Sequence, residues 1–150
     1  QARALAVSVP SWPAFPDSPD ALARLAARMP LLVLSNVDRV SFAGSNARLG
    51  VAFTRVITAQ DVGAYKPAPR GFEVLRAEVA KLGIPAEGLL HVAQSLFHDH
   101  VPARAAGLRT AWIDRRHDRP GWGATPPPQA PVTPDWTFPT VAALADALGA

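Results

Sequence analysis

Six side chains carry the chemistry this sequence could do: Ser35 and Asn36, Lys66, Gln94 and Ser95, and Asp99. Between them they supply hydroxyls, amides, one ammonium and one carboxylate. Such a set suits an anionic substrate held beside a nucleophile, because donors and backbone N–H groups bind the anion while the ammonium offsets developing charge. Singly, each has a plainer reading. Ser-Asn is a common turn or cap, a lysine before proline is an ordinary loop residue, and an aspartate opening a helix is a cap or dipole partner. What joins them is their order, since three successive apolar runs each lead into one of these groups.

The first run, Leu31-Leu32-Val33-Leu34, leads into Ser35-Asn36. The second, Arg55-Val56-Ile57-Thr58, precedes the loop that holds Lys66, and the third, Leu89 to Ala93, leads into Gln94-Ser95 and then Asp99. Short unbroken apolar runs fit strands buried on both faces of a parallel sheet. Helical patterns separate them. Ser18-Pro19 opens a helix with Leu22, Leu25, Ala26 and Met29 on one face, and Val40 to Leu49 forms a second that stops at Gly50. Phe72, Leu75, Val79 and Leu82 trace a third stripe ending at Gly83. Asp99 to Ala106 reads as a helix closed by Gly107, and Arg109 to Ile113 as a further strand.

This alternation predicts an α/β fold, a parallel sheet with right-handed crossovers and helices on both faces. In such sheets ligands bind beyond the carboxyl ends of the strands, where all six groups would lie. The Pro-rich stretch 120–134 is expected to cross the surface as an extended loop. Trp136 and Phe138 suggest a short edge strand, and Val141 to Leu148 a last amphipathic helix with Thr140 as its cap.

Composition narrows the function classes. A chain of 150 residues with 49% apolar side chains can bury a core as a single domain. The net charge is only +3, and its arginines are scattered, which argues against a nucleic-acid surface. Cysteine is absent, which excludes disulfides, thiolate metal sites and a cysteine nucleophile. With no apolar run of about 18 residues and no signal-like pattern at the start, a soluble, cytoplasmic protein without membrane contact is expected.

Three stretches make the pattern specific. Leu31 to Asp38 (LLVLSNVD), Ala64 to Pro69 (AYKPAP) and His91 to Pro102 (HVAQSLFHDHVP) resemble the second, third and fourth motifs of the haloacid dehalogenase superfamily, and within it the type II 2-haloacid dehalogenases. Ala105-Ala106-Gly107-Leu108 resembles the stretch that lies just after the fourth motif in that family, and the similarity runs from Trp12-Pro13 to about Arg116. The resemblance implies a Rossmann-like core and an aspartate nucleophile that forms a covalent ester, which water then hydrolyses. It further implies that Ser35 and Asn36 bind the substrate anion and that Lys66 stabilises the nucleophile and developing charge. Asp99 would orient Lys66 or the hydrolytic water, and the backbone around Gln94 and Ser95 would complete the cradle.

The family's first motif, an Asp followed by a Thr-Leu turn, does not occur in these residues. The expectation is that this is the C-terminal part of such a hydrolase, with residues 1–17 the end of a cap and linker, and with the nucleophile and the central first-motif strand on a segment outside it. Alone, such a chain is expected to be inactive and short of stability, its partner being a complementing N-terminal segment or a second protomer in a homodimer.

Superfamily phosphatases hold Mg²⁺ with carboxylates from the first and fourth motifs. Where many of them have Gly-Asp-Ser, this chain has Ala93-Gln94-Ser95, so a neutral amide replaces one charge. A halide leaving group needs no metal to neutralise spread oxygen charge, and the small carboxylate substrate expected is therefore a short 2-haloalkanoate, with no cofactor and no metal. A Mg²⁺-dependent phosphatase and a noncatalytic fragment or split-protein half are the alternatives. Two departures bear on substrate placement: the aromatic hydroxyl six residues after the motif lysine in known dehalogenases is Phe72 here, and their Ser-x-Asn is Gln94-Ser95-Leu96. Among the four histidines, His98 and His100 would diverge on a helix, which argues against a metal cluster. His91 is expected to be partly buried in its strand.

Overall fold

Residues 18–26 are helical (α1, Ser18–Ala26) because Pro19 presets the first turn and Ala21 and Leu25 share one face. In the computed structural model, which describes residues 8–122 and 125–150, that face is buried: Ala21, Leu25 and Ala145 form a small core packed by Leu31, Val141 and Ala142. Residues 1–7 of the expected cap end, and Gly123 and Ala124 of the Pro-rich loop, lie outside the described residues. The chain divides into two compact units, one running to Gly63 and resuming at Val141–Ala150, the other spanning Ala64–Thr140.

The first unit holds α1, strand β1 (Leu32–Ser35), helix α2 (Arg39–Leu49), strand β2 (Arg55–Thr58), the short helix α3 (Ala59–Val62) and the last helix α6 (Val141–Ala147). β1 and β2 pair in parallel, from Leu32 opposite Arg55 to Ser35 opposite Thr58. α2 starts at Asp38, whose Oδ1 accepts the Ser41 N–H at 2.8 Å, and ends at Gly50 in the left-handed conformation, φ 65°. A Cβ at Gly44 would collide with Pro10, so this glycine lets the 3₁₀ turn Val9–Ser11 lie against α2. The start of α6 is held from far away in sequence: Asp17 Oδ2 accepts the N–H groups of Val141 at 2.9 Å and Ala142 at 3.3 Å.

The second unit holds helix α4 (Arg70–Lys81), strand β3 (Leu90–Ala93), a π-helical turn (Leu96–His100), helix α5 (Val101–Ala105) and strands β4 (Arg109–Ile113) and β5 (Trp136–Phe138). β3, β4 and β5 form a parallel sheet in that order, so the short Trp136–Phe138 strand lies at its edge, as its sequence suggests. From α4, the buried Phe72, Leu75 and Val79 supply the stripe read from their spacing. β5 is tied to β4 through Asp135, whose Oδ2 accepts the Thr110 N–H and the Arg104 guanidinium, both at 2.8 Å. The fold is α/β with parallel strands, as the alternation predicts. No helix among the described residues is long and apolar enough to cross a membrane.

Candidate active site

β3 delivers the candidate groups of the second unit. The strand ends at Ala93, and Ser95 then caps a turn by accepting the His98 N–H on its Oγ at 3.0 Å. The sequence pattern predicts one α-helix over Asp99 to Ala106; instead the first turn is wide, with the His100 and Val101 N–H groups reaching back five residues to the carbonyls of Ser95 and Leu96. The physical reason lies at Pro102, which has no N–H and whose ring crowds the carbonyl four residues earlier, so regular winding resumes only in α5. π turns of this kind recur at functional sites.

The wide turn buries Asp99, which accepts Lys66 Nζ at 2.6 Å and His91 Nε2 at 3.1 Å, both on Oδ1. Lys66 and Asp99 expose only 11% and 10% of their side chains, so this ion pair is nearly dry. Burial is the largest influence on the Asp99 carboxyl and opposes its ionisation, yet the His91 hydrogen bond and the Lys66 charge together outweigh it and hold the group below the usual carboxylate range. An ionised carboxylate only accepts, so the His91 Nε2 must carry a proton. The His91 ring is steadied by Phe72, edge-on at 5.1 Å between centroids.

His100 is fully buried and donates from Nε2 to the Ala93 carbonyl at 3.0 Å. Its Nδ1 is buried and meets no partner among the described residues. Burial, acting most strongly, holds its pKa below the ordinary histidine value, so the ring is neutral near pH 7. Ser95 is buried, its Oγ also lying 3.0 Å from His98 Nδ1. Gln94 gives its carbonyl to the Trp112 indole N–H at 2.8 Å and lines, with Trp112, Asp114 and Arg116, a cavity of about 340 Å³.

In the first unit, Ser35 is the last residue of β1 and its Oγ accepts the Val37 N–H at 3.4 Å, with Asn36 next in the turn before Asp38. Of the six residues singled out by sequence, then, Lys66 and Asp99 are in direct contact, Gln94 and Ser95 flank the turn that carries Asp99, and Ser35 and Asn36 belong to the first unit. His91 is the site residue that sequence reading does not single out. Its signal is the alternation of β3, which sends His91 to the buried side between the half-buried Leu90 and the exposed Val92. No group of three or more His, Cys, Asp or Glu among the described residues is placed to hold a metal ion.

Parallel strands joined by helices, with a lysine and an aspartate meeting beyond the carboxyl end of a strand, make a Rossmann-like α/β core with a candidate site at that strand end. Comparison with known proteins makes this more specific. No family model matches the sequence. An (S)-2-haloacid dehalogenase of Pseudomonas putida is 30% identical over 106 residues, 69% of this chain and 45% of that protein. Among solved structures, the L-2-haloacid dehalogenase of Xanthobacter autotrophicus aligns with a TM-score of 0.74 at 19% identity, over 95% of this chain and 63% of its own. A 2-haloacid dehalogenase from Pseudomonas syringae pv. Tomato DC3000 aligns at 0.65 and 26% identity, over 90% and 53%. The chain belongs to the haloacid dehalogenase superfamily, and it spans about half the length of the curated relatives it matches.

Proposed function

We propose that this chain is part of a 2-haloacid dehalogenase that hydrolyses a short 2-haloalkanoate without metal, through an aspartyl ester. The observation that carries the reading is the buried Lys66–Asp99 pair beyond the carboxyl end of β3, in a chain 30% identical over 106 residues to an (S)-2-haloacid dehalogenase. In the reaction, the carboxylate of a first-motif aspartate attacks C2 of the substrate, the carbon–halogen bond breaks and halide leaves. Water then adds to the ester carbonyl and loses one proton to Asp99; the 2-hydroxyalkanoate departs with the other on its new hydroxyl as the nucleophile's carboxylate is regenerated, and Asp99 returns its proton to solvent. Lys66 offsets the negative charge gathered around both carboxylates. The resemblance assigns Ser35 and Asn36 to the substrate carboxylate, and Gln94 and Ser95 to its cradle.

The residues present fit Mg²⁺ poorly. Gln94 is neutral, and the one carboxylate, Asp99, already has its charge offset by the Lys66 ammonium and shares its Oδ1 with an imidazole N–H. A phosphatase reading therefore lacks support from the donor set. The test is halide release from 2-chloropropionate by the full-length protein, with and without EDTA. Undiminished release under EDTA, lost in Lys66→Ala, is the expected outcome. Activity confined to phosphate esters with added Mg²⁺ would replace this reading with the phosphatase one, and no turnover of either substrate would favour a noncatalytic role.

A further inference from the structure

Both contacts to Asp99 fall on one oxygen. Lys66 reaches Oδ1 from the loop before α4, and His91 reaches it from within β3, while no hydrogen bond from a described residue falls on Oδ2. We propose that His91 is a positioning residue: its Nε2–H and the Lys66 ammonium clamp Oδ1 from two separate elements, fixing the carboxylate plane so that Oδ2 is the oxygen left to accept a proton from water. The inference rests on the dehalogenase reading only for the identity of that water's target.

The physical case is one of rigidity. An ammonium on a four-carbon stem is a rotatable point charge, and by itself it would leave the carboxylate free to turn about its own axis. An imidazole is different. His91 is anchored by the strand pairing that sets it opposite Thr110, its ring is packed edge-on by Phe72, and its side chain is 9% exposed. Two donors arriving from a loop and a strand hold a plane where one cannot, in the way that partners behind a metal ligand fix that ligand's orientation. The arrangement also divides labour between the two oxygens, since lone pairs on Oδ1 are spent while those on Oδ2 are not. The charged and titratable neighbours of His91 are Asp99 and His100 from the wide turn and Lys66 from the loop. Because His100 is neutral, the only cation on the carboxylate among the described residues, besides any charge on His91 itself, is Lys66.

The test follows the Asp99 carboxyl directly, by carbon NMR of the full-length protein labelled at aspartate Cγ, with the resonance assigned through Asp99→Asn. Replacing His91 by leucine should raise the Asp99 titration midpoint by about one pH unit, and His91→Gln, which keeps an N–H donor at the same reach, should restore it. In an active enzyme, kcat should fall on the order of 10-fold to 100-fold in His91→Leu with KM little changed. An unmoved midpoint, or a moved midpoint with unaltered kcat, overturns the role. If the wild type releases no halide while the midpoint still moves and is rescued, the dehalogenase reading fails and the clamp stands. Should His91→Leu not fold, imidazole nitrogen NMR of the wild type decides: a proton on Nε2 is expected, and a bare Nε2 excludes the clamp.

Discussion

The turn after β2 and the turn after β3 begin alike, with polar residues following a short apolar strand, and they spend those residues in opposite ways. After β2, Thr58 and Asp61 close a reciprocal cap within four residues: the Thr58 hydroxyl and N–H reach Asp61 Oδ2 at 2.7 and 2.8 Å. Asp61 finds its cation, Arg39, at a half-open surface. After β3, Asp99 turns inward and meets Lys66 from 33 residues away, with both groups nearly dry. A carboxylate spent on its own helix start stabilises the fold locally. One buried against a distant ammonium costs desolvation that only a specific partner offsets, which is the arrangement expected where charge is used for chemistry.

Breaking the inner pair should therefore have the largest effect on stability. Lys66→Met leaves a buried carboxylate without its cation and should destabilise the protein by about 3–5 kcal/mol, measured by chemical denaturation. Replacing both partners, Lys66→Met with Asp99→Leu, should recover most of that loss without restoring the proposed halide release, because a buried pair exchanged for apolar groups of similar volume is often neutral. Equal destabilisation in the single and double variants would mean that the pair matters to the fold in some way other than mutual charge compensation.

A smaller effect separates the two turns by pH. Asp61 is held down to about 2, first by the Thr58 hydroxyl and N–H and then by Arg39, and Asp99 is held below its ordinary value as well. Both folded values lie below the unfolded one, so each group's contribution is complete above about pH 4 and is lost as pH falls through the folded value. Stability should thus decline from about pH 4 toward pH 2. Asp61→Asn and Asp99→Asn should each flatten that decline, as read from denaturation midpoints at a series of acidic pH values. A decline that is identical in both variants and the wild type would remove these two carboxylates from the account.

Much of this contrast is legible in the residues themselves. Strand and helix positions follow from apolar periodicity, and Lys66 and Asp99 stand out because few residue types can do charge chemistry beyond a strand end. What periodicity does not carry is the partner of a polar group. Sequence offers Thr140 as a cap for the last helix, but nothing in the apolar pattern says that Asp17, more than a hundred residues earlier, accepts the N–H groups of Val141 and Ala142. His91 and Asp99 lie eight residues apart, a separation that brings them together only because a strand ends and a wide turn begins between them. That turn depends on Pro102, whose effect falls on residues before it and interrupts a pattern that otherwise reads as one helix.

The central claim is that the buried Asp99, held by Lys66, takes the proton from the water that releases the product. Its most direct test is a single turnover of the full-length Asp99→Asn protein with 2-chloropropionate, followed by halide assay and intact-protein mass. The account predicts halide released in an amount equal to the protein, no further release, and a protein heavier by one esterified propionate. Continued turnover at the wild-type rate, with no adduct, would contradict it.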